Sequence, residues 1–196
     1  MINQKRIEKA QRYLAAEELD FLVIDDPLSL FYLTGVWVSF GKLCLSPHKV
    51  KMFVDQRYFE AVRKKGVCEV GLFSEKVLAD FLQNVQHEAP IKIGFNSQKL
   101  SYAGYYKFVQ FLEKIKPQIF KLIPLDEPLK DMRLVKSPSE ITAAKKSAAL
   151  NWQGFRYMCS LLKEGITEEA LALEYEIFCR RNGAQKLAFD PIICFG

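Results

Sequence analysis

The sequence predicts an α/β protein: a mixed sheet covered by helices, followed by the first helices and strand of a second, α+β domain. Three observations lead there. Short apolar runs alternate with amphipathic stretches over residues 3–122. Two of those runs, around Leu43 and Leu45 and around Val50, Met52 and Val54, are separated only by a Ser46-Pro47-His48 turn, which predicts a hairpin. From Asp131 onward the pattern changes to long helices that carry their own start and stop signals.

Residues 3–16 place Ile7, Ala10 and Leu14 on one helical face, with charges opposite. Phe21-Leu22-Val23-Ile24 is apolar throughout, as a strand covered on both faces must be. Asp25-Asp26-Pro27 closes it with a turn. After the hairpin, Asp55 opens a helix through Tyr58, Ala61 and Val62, and Gly66 ends it. Strands near 67–72, 91–95 and 119–122 then alternate with helices near 75–85 and 102–115. Pro124-Leu125-Asp126-Glu127-Pro128 has the composition of a boundary, since prolines interrupt regular elements. The expected division is therefore 1–125 and 126–196.

Beyond that boundary, Ser137 is an N-cap, Pro138 fits the first helical turn and Glu140 completes a capping box. Ile141, Ala144, Ala148, Trp152, Phe155, Cys159 and Leu162 recur at helical spacing, and Gly165 is the expected stop. Thr167 caps the next helix, Glu168 and Glu169 suit its positive end, and Gly183 is the expected C-cap. Residues 187–195 are rich in apolar and aromatic side chains and predict a strand.

Composition narrows the function classes. Hydrophobic residues at 49% and charged residues at 26% are those of a globular protein. The net charge of +5 is spread over small clusters, which argues against a nucleic-acid partner. No apolar stretch reaches membrane-spanning length, so no membrane is expected. Five separated cysteines without a C-x-x-C predict free thiols and a cytoplasmic location, not a disulfide framework or a zinc site. His48 and His87 are the only histidines, and neither has a ligand partner at helical or hairpin spacing.

Five short motifs, in order, carry a family resemblance. They are Tyr32-Leu33-Thr34-Gly35; Val54-Asp55-Gln56-Arg57-Tyr58 with Ala61; Arg133, Lys136, Glu140 and Ile141; Gly165-Ile166-Thr167-Glu168; and the stretch from Phe189 through Asp190-Pro191-Ile192-Ile193 to Gly196. Together they resemble the amino-terminal part of a pita-bread metallopeptidase of the aminopeptidase P, Xaa-Pro dipeptidase (prolidase) and creatinase group. The resemblance implies a creatinase-like N-terminal domain, then the start of the peptidase domain. It implies hydrolysis of peptide bonds adjoining proline in proline-containing peptides. It also implies two divalent metals (manganese, cobalt or zinc), held by two aspartates, one histidine and two glutamates around a bridging hydroxide.

In that family every such ligand lies beyond the position matched by Gly196. The expectation is therefore a chain that stops before the metal ligands, is inactive alone and binds none of these ions. No catalytic or metal residue is assigned. The local carboxylates have structural readings: Asp25 and Asp26 in a turn, Glu168 and Glu169 at a helix start, and Asp190 before a proline. One residue keeps a functional reading. In dimeric members the loop after Y-L-T-G reaches the neighbouring active site, so Trp37 either contacts substrate across a homodimer or lines the core or the dimer seam. The class-level alternative is a non-catalytic binding or dimerisation module of the same fold.

Overall fold

The computed structural model describes residues 2–83 and 90–195. It divides into two compact units, 1–134 and 135–196. The elements of the first are α1 (Ile2–Ala16), β1 (Phe21–Ile24), α2 (Pro27–Thr34), β2 (Gly41–Leu45), β3 (Val50–Val54), α3 (Gln56–Lys65), β4 (Glu69–Leu72), α4 (Glu75–Gln83), β5 (Ile91–Asn96), α5 (Tyr102–Ile115), β6 (Phe120–Leu125) and α6 (Lys130–Leu134). The second holds α7 (Pro138–Leu161) and α8 (Glu168–Arg181).

Among the described residues the strands form one six-stranded mixed sheet in the order β4-β3-β2-β1-β5-β6. The β2–β3 hairpin is antiparallel, with Leu43 opposite Met52, and β2 pairs antiparallel with β1. The β1–β5, β5–β6 and β3–β4 pairs are parallel, each linked through helices as a parallel crossover requires.

The side-chain alternation of a strand sends β1 to two cores at once. Leu22 and Ile24 join Leu43, Leu45, Met52 and Val54 beneath α1, α2 and α3, where Ile7, Leu14, Leu30, Leu33 and Val62 are buried. Phe21 and Val23 join Cys44, Phe53, Ile91 and Ile93 beneath α4 and α5, against Leu78, Leu82 and Leu112. This double coverage is why four consecutive apolar residues are tolerated in β1.

Several expectations are corrected. Pro124 lies inside β6, in register with Phe95. It is accommodated because β6 is an edge strand, where a missing N–H on the outer side leaves no ladder bond unmade. The two compact units part after Leu134, and Leu125, Leu129 and Met132 are buried in the first core. The strand expected over 187–195 is absent among the described residues. A strand needs a neighbour for its backbone groups, and the Phe195 N–H instead donates to Glu168 Oε1 at 2.6 Å. The helix expected to close at Gly165 ends at Leu161, with Leu162 extended as its cap. At the end of α8 the cap is Asn182 rather than Gly183, whose φ of 100° makes the turn that follows. The end of the fourth helix at Val85, and His87, lie outside the described residues.

In the second unit α7 and α8 pack through Gly154, where an added Cβ would sit 2.6 Å from the Tyr175 ring. Tyr157 stacks on Phe178 with ring centroids 4.8 Å apart, and its hydroxyl donates to Glu174 at 3.0 Å. Leu171 and Cys179 are buried there, whereas Ile141, Trp152 and Phe155 are exposed.

Candidate functional site

The motif at 32–35 ends α2, and each residue in it has a structural duty. Tyr32 donates its hydroxyl to the Met132 carbonyl at 2.8 Å, tying α2 to α6 across a hundred residues of sequence. The Arg6 guanidinium lies over the Tyr32 ring at 4.1 Å. Leu33 is fully buried. Thr34 donates to the Leu30 carbonyl at 2.7 Å and accepts the Val36 N–H at 3.2 Å, turning the chain out of the helix. Gly35 takes φ 73° and returns its N–H to Phe31, which a β-carbon would disfavour. The entry to α2 is equally defined: Asp26 accepts the Ser29 N–H at 2.9 Å and Pro27 occupies the first turn.

The loop that follows is held on both sides of Trp37. Val38 is fully buried, and Ser39 Oγ lies 2.9 Å from the Tyr58 hydroxyl. That hydrogen bond, offered to the phenolate, lowers the Tyr58 pKa from its ordinary value. Phe40 meets Phe73 edge-on at 5.2 Å. Trp37 itself is 53% exposed and tilts against Phe31 at 5.9 Å, with Leu28 also exposed. The loop is thus fixed while its tryptophan faces outward.

The V-D-x-R-Y segment is the partner of this loop. Asp55 caps α3 by accepting the Arg57 N–H at 2.9 Å, and Arg57 Nη2 reaches Asp55 Oδ2 at 2.6 Å. The Arg57 side-chain hydrogen bond holds the Asp55 carboxyl below its usual pKa, so the cap stays charged. The next residue, Tyr58, is the one bonded to Ser39. The motif therefore starts a helix and anchors the Trp37 loop.

The remaining residues singled out from sequence fall into structural places. Arg133 donates to Ser29 Oγ at 2.9 Å within the first unit. Ser137 and Glu140 form the full capping box of α7. Thr167 accepts the Ala170 N–H at 3.1 Å as the cap of α8. Asp25 pairs with Lys42 at 2.9 Å. Asp190 and His48 are exposed. Among the described residues no three His, Cys, Asp or Glu side chains converge where a metal ion could be held.

Two of the thiols are held in the fold of the first unit, Cys44 buried and Cys68 half-buried. Burial pushes Cys44 up to about 12 and Cys68 up to about 11, so neither is a nucleophile near neutrality. Two features escaped sequence reasoning. The cap at Asp26 was legible in Asp-Pro-x-Ser, a sequence that also reads as a simple turn. The Ser39–Tyr58 bond joins residues with no pattern between them, and no sequence signal marks it.

Comparison with known proteins places this arrangement. The family model for the creatinase/prolidase N-terminal domain matches residues 6–135. The chain belongs to that family. The model for metallopeptidase family M24 matches residues 142–196, beginning within α7. An uncharacterized peptidase of Bacillus subtilis, YqhT, is 27% identical over 195 residues, covering 97% of this chain and 53% of the relative. The Xaa-Pro dipeptidase of Pyrococcus furiosus is 25% identical, over 98% of this chain and 53% of its own length. The chain spans about half the length of the curated relatives it matches. Among solved structures, the Xaa-Pro dipeptidase from Bacillus anthracis superposes with a TM-score of 0.82 at 23% identity, over 96% of this chain and 52% of that one. The N-terminal domain of the cytoplasmic peptidase PepQ from Mycobacterium tuberculosis aligns at a TM-score of 0.56 and 22% identity, over 65% of this chain and 97% of its own. These likenesses agree with a creatinase-type N-terminal domain followed by the start of a pita-bread domain.

Proposed function

We propose that this chain is the amino-terminal scaffold of a metal-dependent Xaa-Pro peptidase, of the aminopeptidase P or prolidase type, and that it is inactive by itself. The observation that carries this reading is the order of the two family matches, a creatinase/prolidase N-terminal domain followed by a metallopeptidase M24 segment. Relatives that run to about twice this length include Xaa-Pro dipeptidases. Full-length M24 peptidases use divalent metals, and the donors they need do not converge among the residues described here.

The chain's own contribution in this reading is structural. It builds the first domain, supplies the cap and first turns of α7, and presents Trp37 on a braced loop. Trp37 then meets proline-containing substrate, or the seam, in a homodimer. The exposed Leu28, Phe31 and Trp37 support that placement, because a fixed apolar surface of this kind is suited to being covered. Five free thiols, two of them buried, support a reducing, cytoplasmic setting.

Two measurements test the reading. The 196-residue chain is incubated with Xaa-Pro dipeptides and manganese beside the Pyrococcus furiosus dipeptidase; no turnover by this chain is expected, and turnover overturns its inactivity. Sequencing of the gene beyond the codon for Gly196 is expected to reveal aspartates on a strand soon after it. A stop codon directly there favours the non-catalytic module.

A further inference from the structure

A cavity of about 220 Å³ lies between the sheet and helices α4 and α5, entirely within the first unit. It opens at the carboxyl ends of the parallel neighbours β1 and β5, since Asp25 follows β1 and Asn96 ends β5 and both line it. Open α/β sheets bind ligands in that crevice. None of the residues given a role above in the Trp37 loop or the α7 cap lines it, apart from Phe73, which braces Phe40.

The walls are largely apolar, and Phe73, Phe95, Phe108 and Phe111 supply their aromatic part. Set into them is the ion pair of Lys42 Nζ and Asp25 Oδ2 at 2.9 Å, with the Lys42 ammonium also 5.9 Å from the Phe108 ring. A lysine ammonium has three donors, and among the described residues this one uses a single N–H, on Asp25. Asp25 Oδ1 accepts no hydrogen bond among the described residues. Glu75 and Lys107 line the same cavity and repeat the pairing of signs. Among the described residues the ionisable lining is two cations and two carboxylates, with no net charge.

That pattern selects a ligand class. A simple anion would satisfy Lys42 and press against Asp25, and a simple cation would do the reverse. A purely apolar ligand would strip water from the pair and return nothing for its unused donors and acceptor. A dipolar ion satisfies both partners: its carboxylate accepts from Lys42 Nζ and its ammonium donates to Asp25 Oδ1. The aromatic walls then take an apolar side chain, preferably one with a ring to pack against them. The volume is below the roughly 300–1,000 Å³ of pockets for drug-sized molecules, which limits the occupant to something near a single residue.

We propose that the cavity bounded by the Asp25–Lys42 pair and the phenylalanines of β5, α5 and the β4–α4 loop is a binding site for a free zwitterionic amino acid with an aromatic side chain. The site requires no metal and no residue outside this chain, so it stands apart from the peptidase reading.

Calorimetric titration of the 196-residue chain tests it with three probes: L-phenylalanine, 3-phenylpropionate, which lacks the ammonium, and phenethylamine, which lacks the carboxylate. Phenylalanine is expected to bind at millimolar concentration or tighter, and each analogue about tenfold more weakly. Lys42→Met is expected to weaken phenylalanine binding about tenfold, with folding checked by circular dichroism. Lys107→Ala, at an exposed rim position, is expected to weaken it two- to threefold and gives a readout should Lys42→Met fail to fold. Absence of phenylalanine binding, equal binding of either analogue, or unchanged binding in either folded variant overturns the proposal.

Discussion

In the first unit, α1 and α2 bury Ile7, Leu14, Leu30 and Leu33 completely against a sheet that is itself covered on its other face. In the second, α7 has a full capping box and a helical apolar repeat of the same quality, yet Trp152 is 60% exposed and Phe155 and Ile141 are exposed beside it. The contrast separates two things that sequence patterns run together. Caps and periodicity decide that a helix forms and which face is apolar. Whether that face stabilises anything depends on a second surface to bury it, worth roughly 1.5–3 kcal/mol for each large side chain. Residues 1–134 contain both surfaces; residues 135–196 contain one pair of helices that meet at Gly154.

The comparison breaks most readily at the two cores. Phe53 is fully buried against Phe81 and the α4–α5 side, so Phe53→Ala is expected to destabilise the first unit by about 3–5 kcal/mol in a denaturant titration. Trp152→Ala, a comparably large deletion, is expected to shift the same titration by less than about 0.5 kcal/mol. A large effect of Trp152→Ala would show that the α7 face is already covered.

Alkaline pH sharpens the same point from inside the sheet. Cys44 is fully buried, and burial pushes its thiol up to about 12 from the 9.0 of the free group. Between these values the unfolded chain releases a proton that the folded one retains. The stability linked to Cys44 is therefore complete below about pH 9 and is lost progressively as the pH rises towards about 12. Cys44→Ala removes that part of the loss, measured as the difference between the two proteins' unfolding midpoints across this range. No difference between them would place the thiol in contact with solvent.

A smaller effect belongs to the second unit. Ser137→Ala deletes the cap that accepts the Glu140 N–H and is expected to cost about 1 kcal/mol of α7 stability. Lost helicity in circular dichroism, with the first unit's unfolding midpoint unchanged, is the expected result.

How much of this was legible depended on whether the deciding forces were local. The hairpin at Ser46-Pro47-His48, the helix that starts at Asp55 and the box at Ser137 and Glu140 depend on neighbours in sequence, and they form where expected. The doubly buried β1 was readable because four apolar residues in a row leave few other arrangements. Pro124 misled because a proline's meaning depends on whether its strand is at an edge, which sequence does not state. The apolar run at 187–195 misled because strand formation is a property of a pair, not of a segment. Tyr32 could be expected to pack, but not that its hydroxyl would hold α6. The Asp25–Lys42 pair belongs to the same class: the two lie seventeen positions apart, and the β1–β2 pairing brings them together.

Residue-resolved amide hydrogen exchange on the intact chain measures the difference between the two units directly. Amides of β1, β2 and β5 are expected to exchange only through unfolding of the whole first unit, while those of α7 and α8 exchange orders of magnitude faster through local opening. Protection of α7 and α8 equal to that of the central strands, in a monomeric sample, would contradict the account.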